Sequence, residues 1–151
     1  MKSSVLAIDH GEKRTGFASS DPLRIATRPL DQWYGPGDDE ALLKHIGELL
    51  EERNARTVLV GLPYNMDGSV GGRAMDVLQF MSRLRDAYPD VQVLPQDERL
   101  STKEAEQLLK EAGHHGEARK SRKDSWSALV LLRDWIDQGE PQHPWPEPRG
   151  D

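Results

Sequence analysis

Val5-Leu6-Ala7-Ile8-Asp9-His10-Gly11-Glu12-Lys13-Arg14-Thr15-Gly16 is an apolar run that ends on a carboxylate and passes at once into a turn rich in glycine and basic residues. A short continuous apolar run bounded by turn residues reads as a buried strand. A bare carboxylate is costly to bury, so Asp9 is expected where the strand emerges at the rim of a sheet, within reach of metal or substrate. Gly11 allows a sharp backbone turn beside it. The plainer alternative is a strand and hairpin in which Asp9 only caps the turn.

Working outward, Gly16-Phe17-Ala18-Ser19-Ser20 reads as a second strand, antiparallel to the first, and Asp21-Pro22 as the next turn. Arg24-Ile25-Ala26-Thr27-Arg28 is expected as a third strand, and Pro29 places its end near a sheet edge or exit. Leu42, Leu43, Ile46, Leu49 and Leu50 recur at helical spacing behind an N-cap at Asp38 or Asp39. Thr57 to Leu62 is a buried strand stopped by Pro63. Ala74, Val77, Leu78, Met81 and Leu84 mark a second helix, and Val91 to Leu94 the next strand. Strand, helix and strand in this order predict a right-handed crossover between parallel strands.

Ser101 and Glu104 have the spacing of a capping box for a helix carrying Ala105, Leu108, Leu109 and Ala112. His114 to Lys123 reads as a polar, basic loop able to close over nucleic acid. A last helix opens near Asp124 and ends at Gly139. The order predicts an α/β domain over residues 1–138: a mixed five-stranded sheet with helices on both faces. Residues 139–151, rich in proline, are expected to form a flexible tail.

The 151 residues suit one domain, and the absence of cysteine excludes disulfides, thiolate metal sites and a cysteine nucleophile. The opening apolar run is too short for a signal peptide or a membrane span, which points to the cytoplasm. A net charge of −6 argues against indiscriminate binding to nucleic acid. Basic residues nevertheless cluster at Lys13-Arg14 and at Arg119 to Lys123, as a phosphate-bearing partner would require.

Three acids stand at the ends of apolar elements: Asp9 after the first strand, Glu98 after the last, and Asp124 at the start of the final helix. Carboxylate oxygens suit Mg²⁺ or Mn²⁺, and a pair of such ions can activate water against a phosphodiester. Each acid also has a structural reading. Glu98 can favour the positive end of the helix capped by Ser101, and Asp124 can be an N-cap. Lys13, Arg14, Arg99 and Lys123 are candidates for phosphate contact. Asn65 and Asp67 are placed at the rim of the cleft with Gly11, although the preferred reading of Asp67 is a turn with Gly68.

Four ordered stretches carry a family resemblance. They are Ile8-Asp9-His10-Gly11 with Lys13-Arg14 and Gly16 followed by Ser20-Asp21-Pro22, Gly61 to Ser69, Asp97 to Thr102 with Glu104-Ala105, and Lys123-Asp124 before an apolar helix. Together they resemble the YqgF (RuvX) family over roughly Val5 to Ile136. The resemblance implies an RNase H-like fold and a metal-dependent nuclease with Asp9, Glu98 and Asp124 as catalytic carboxylates. It also implies processing of the 5′ end of pre-16S rRNA in ribosome biogenesis, or resolution of Holliday junctions by a dimer. His10 departs from the family pattern, and a solvent-facing turn histidine is the favoured account of it. Trp126 also departs, and packing is favoured over stacking on a base.

Two other classes compete. A non-catalytic RNA-binding assembly factor would have little use for clustered acids, which repel phosphate unless a metal intervenes. An ATPase of the actin or sugar-kinase type would need a second phosphate loop, which the sequence lacks.

Overall fold

The computed structural model describes residues 3–38, 40–98, 107 and 123–146, without the side chains of Lys123 and Asp124. The expected helix from Ser101 and the basic loop before Lys123 lie outside the described residues, Gln107 apart.

Alternation along the first strand explains the layering. In β1 (Ser4–Asp9), Leu6 and Ile8 face one side of the sheet and Val5 and Ala7 the other. The first side is covered by α1 (Glu40–Arg53) and α2 (Gly72–Ala87). The second is covered by α3 (Lys123–Asp137), which lies across β1, β2 (Arg14–Ser20) and β3 (Thr27–Tyr34). β4 (Ala55–Leu62) is buried on both sides, as its unbroken apolar run requires: Val58 and Val60 join the first core, Leu59 the second. β5 (Gln92–Asp97) completes a sheet of order β3-β2-β1-β4-β5.

β1 pairs antiparallel with β2 and parallel with β4, and β4 pairs parallel with β5. The mixed five-stranded sheet with helices on both faces is therefore observed. Trp126 is buried in the core under α3, packed rather than offered to a base.

The third strand corrects the expectation. It begins at Thr27, runs through Pro29, which sits opposite Ala18, and continues to Tyr34. Pro29 lacks an N–H, but β3 is an edge strand and needs no donor on its open side. Arg24 lies instead in the preceding turn with φ of 61°, and its guanidinium donates to the carbonyls of Ser3, Asp21 and Pro22.

Residues 140–146 make specific contacts. Glu140 pairs with Arg24 at 3.1 Å, and the Trp135 indole donates to the Pro141 carbonyl at 2.8 Å. Trp145 donates to the Val93 carbonyl of the terminal strand β5 at 2.8 Å, and Arg85 lies 4.1 Å from the centre of its ring. An open strand edge invites mispairing, and an indole laid along it blocks that. Trp145→Ala is expected to cost about 1–3 kcal/mol, from the lost apolar contact and an unpaired carbonyl. Urea unfolding reads this as a lower midpoint at constant slope. An unchanged midpoint would mean that the indole adds nothing to the fold.

Candidate active site

Strand register brings two of the three acids together. Ile8 is opposite Val60, so Gly61 comes level with Asp9 at the next step along the sheet. Gly61 in turn is opposite Gln96, and the Glu98 amide donates to the Leu62 carbonyl at 3.3 Å. The Glu98 carboxyl then folds back over the sheet into the space that a side chain at Gly61 would fill. A Cβ there would stand 2.4 Å from Glu98 Oε2 and 2.7 Å from Leu131 Cδ1. Glycine at this position is thus what lets Glu98 reach Asp9, to which its carboxyl is hydrogen-bonded.

The electrostatics follow from that contact. Glu98 is pushed up to about 9 by its removal from water, by the charge of Asp9 and by the hydrogen bond between the two carboxyls; Arg73 partly opposes this and Asp97 adds to it. One proton therefore holds the pair together when no cation is bound. Hard oxygen donors brought this close suit Mg²⁺ or Mn²⁺, which would replace that proton. Among the described residues no group of three acid or imidazole side chains gathers to hold a metal ion. Asp124 is placed only through its backbone in the first turn of α3. Its neighbour Ser125 accepts a hydrogen bond from the Phe17 amide at 3.0 Å, and Phe17 is opposite Ile8. The start of α3 is thereby fixed beside the Asp9 end of β1.

Gly11 earns its place by proximity: a Cβ on it would stand 2.1 Å from the Arg14 carbonyl oxygen. The tight turn that results lines a cleft of ≈ 200 Å³ with Asp9, Gly11, Glu12, Lys13 and Arg14. Lys13 and Arg14 are exposed there. Arg99 lies outside the described residues, as does the side chain of Lys123. Asp67 behaves as turn chemistry predicts, accepting from the amide of Ser69 at 2.9 Å and from its hydroxyl at 2.6 Å. Asn65 donates to Ser69 Oγ at 2.9 Å.

His10 is a correction. Its ring is buried, not solvent-facing: it stacks on Phe80 with centroids 4.1 Å apart, and Nε2 donates to the Gly37 carbonyl at 2.8 Å. Burial lowers its pKa, with the Gly37 bond opposing, so the ring is neutral and Nδ1 is left without a hydrogen. Sequence reasoning also passed over Arg73, which donates to the His10 carbonyl and whose charge bears on Glu98. The basic residue in Gly71-Gly72-Arg73 was its only signal.

Comparison with known proteins accords with this geometry. Residues 3–138 match the family model described as RuvX, Holliday junction resolvase. The chain belongs to the RuvX family. A relative from Acetivibrio thermocellus is 38% identical over 133 residues, covering 88% of this chain and 94% of that protein. One from Staphylococcus aureus is 31% identical over 138 residues, covering 91% and 97%. Both carry the name "Putative pre-16S rRNA nuclease". Among solved structures, Thermus thermophilus RuvC in complex with a Holliday junction substrate superposes with a TM-score of 0.60 at 14% identity, covering 93% of this RuvX chain and 98% of the RuvC chain. A second T. thermophilus RuvC structure gives 0.52 at 14% identity, covering 92% and 98%. The fold is RNase H-like.

The shared proton has a measurable consequence. The folded state of the metal-free protein holds Glu98 protonated up to about pH 9, whereas the unfolded chain releases that proton near the ordinary 4.5. The stability linked to it is complete below the unfolded value and is lost as pH rises toward 9. Without divalent cation, Glu98→Gln is expected to be increasingly more stable than wild type from about pH 5 to 9, by up to roughly 1 kcal/mol per pH unit. Parallel pH profiles of the two proteins would show that Glu98 does not hold the proton.

Proposed function

We propose that this RuvX-family chain is a divalent-cation-dependent nuclease that hydrolyses phosphodiesters, with the 5′ end of precursor 16S rRNA as its substrate. The observation that carries the reading is the Asp9–Glu98 pair, two half-buried carboxyls in contact at the ends of β1 and β5. Such a pair keeps a proton on Glu98 unless a hard cation takes its place and lets both carboxyls ionise. The names of the A. thermocellus and S. aureus relatives supply the substrate. The family's description favours four-way DNA junctions as the second reading. Cytoplasmic location follows from rRNA as substrate. The chain would act as a monomer on RNA, whereas two symmetric cuts in a junction would call for a homodimer. A non-catalytic RNA-binding assembly factor is the remaining reading, which the carboxyl pair disfavours.

In this reading Asp9, Glu98 and Asp124 hold Mg²⁺ or Mn²⁺. When bound, the cation supplies charge neutralisation at the scissile phosphate and lowers the pKa of an attacking water. Lys13 and Arg14 meet the neighbouring phosphates from the β1–β2 turn, and Arg99 and Lys123 extend that contact. Gly11, Asn65 and Asp67 shape the rim. Arg73 holds the His10 carbonyl, and with it the backbone that carries Asp9, in register with Glu98.

Two variants test the site. Asp9→Asn is expected to abolish cleavage of end-labelled precursor rRNA in Mg²⁺ or Mn²⁺ while keeping the circular dichroism of the folded chain, because an amide is a poor ligand for a hard cation. EDTA should have the same effect on wild type. Cleavage by Asp9→Asn at the wild-type rate would overturn the metal reading. A synthetic junction run in parallel separates the two substrates, since paired symmetric cuts there alone would transfer the activity to branched DNA.

Gly61→Ala should lower the rate at least tenfold and raise the Mg²⁺ concentration needed for half-maximal rate, since the added methyl displaces the Glu98 carboxyl. An unaltered Mg²⁺ requirement would show that Glu98 does not depend on the space over Gly61.

A further inference from the structure

Beside the carboxylate pair lies a larger pocket of ≈ 380 Å³ between the β1–β2 turn, the loop before α1 and one face of α2. Arg73, Asp76, Phe80 and Arg83 recur at helical spacing along that face, with Gln79 at its flank. His10 and Phe80, stacked on each other and both buried, close the back of the pocket. Glu12 lines both this pocket and the small cleft at Asp9, and Arg73 stands between the two through its bond to the His10 carbonyl. Whatever occupies the pocket is therefore a neighbour of the group at Asp9.

The lining selects the occupant. Three carboxylates, Glu12, Asp38 and Asp76, outnumber two guanidinium groups, Arg73 and Arg83, and His10 is neutral. A phosphate would meet net repulsion there. A planar neutral group with donors on one edge and acceptors on another would not, and nucleobases are such groups. Sequence-selective reading of RNA relies on hydrogen bonds along the edges of single unstacked bases. Guanine fits best. Its adjacent N1–H and N2–H₂ donors match the two oxygens of one carboxylate, while O6 and N7 match an arginine fork. Adenine and cytosine present no pair of adjacent donors.

We propose that this pocket binds one unstacked guanine base flanking the scissile phosphate, with Asp76 accepting from its donor edge and Arg83 and Gln79 facing its acceptor edge. The proposal rests on the nuclease reading for the position of the base but not for its recognition.

The test is therefore a binding measurement. Fluorescein-labelled hexauridylates with one internal uridine replaced by guanosine, inosine or adenosine are titrated with full-length Asp9→Asn protein in Mg²⁺, read by anisotropy. The guanosine oligonucleotide is expected to bind roughly tenfold tighter than the adenosine one, with inosine between, since it lacks the N2 amino group. Asp76→Asn and Gln79→Ala change exposed side chains. In that background both should reduce the guanosine preference while leaving adenosine binding within about twofold, because a lost edge contact affects only the base that makes it.

Equal affinities for all three oligonucleotides, no binding of any, or a preference that both variants leave intact would overturn the proposal. Wild-type cleavage of precursor rRNA is scored separately. A guanosine preference without any cleavage would keep the pocket and remove the nuclease reading, and cleavage without a preference would do the reverse.

Discussion

Two carboxyl groups cannot both carry charge in contact and out of water without a compensating cation or a proton. The contact between Asp9 and Glu98 is therefore the constraint on which the site rests. Parallel alignment of β1, β4 and β5 delivers the acids to the same end of the sheet from chain positions 89 residues apart. The gap in side-chain volume at Gly61 on the strand between them lets one carboxyl cross over to the other. A sheet of the same order with alanine at that position would set the acids on the same rim and still hold them apart.

A pair held in contact from two strands needs a rigid frame, and the frame here is local. The turn after Asp9 is drawn tight at Gly11. The Gly35 amide donates to the Lys13 carbonyl at 2.9 Å and the Gly37 amide to the Glu12 carbonyl at 3.0 Å, which clamps the loop before α1 onto that turn. His10 donates back to Gly37, and Arg73 holds the His10 carbonyl from the opposite side. Every bond in this set involves the backbone, so the turn that follows Asp9 is fixed through its main chain and leaves the Asp9 carboxyl to its contact with Glu98. On the far face, the Ser125 hydroxyl does the same for β2 through the Phe17 amide.

How much of this could be read from the chain depended on whether the cause was local. The unbroken apolar runs at Val5 to Ile8 and Val58 to Val60 reflect burial on both faces of the sheet, and both were legible as strands. Asp9 and Glu98 were legible as strand-end acids because each follows an apolar run, although a capping role stayed open for both. Pro29 marked β3 as an edge strand, which it is, but proline was also taken to end the strand, and an edge strand with an open side can run on through it. His10 was misread for a similar reason. Its hydrogen-bond partner Gly37 is 27 residues away and its stacking partner Phe80 is 70 away, so a polar ring in a turn looked exposed. The packing of Trp145 against Val93 was equally invisible, because proline content describes a backbone without saying what its one large side chain covers.

The acidic character of the chain bears on how it would choose its targets. A nuclease with a net charge of −6 receives little help from long-range attraction to a polyanion, in contrast to basic nucleic-acid binders whose affinity comes from the phosphate backbone everywhere. In the proposed reading its attraction is concentrated at the carboxylate pair, which a divalent ion would make cationic, and at Lys13 and Arg14 beside it. Binding and chemistry then depend on the same ion, and a nucleic acid held elsewhere on the surface gains nothing. Such an arrangement sacrifices non-specific affinity and leaves contacts close to the cut as the main source of selectivity. On that reading an acid-lined pocket beside the carboxylate pair would exclude a second phosphate and leave its space to the proposed base.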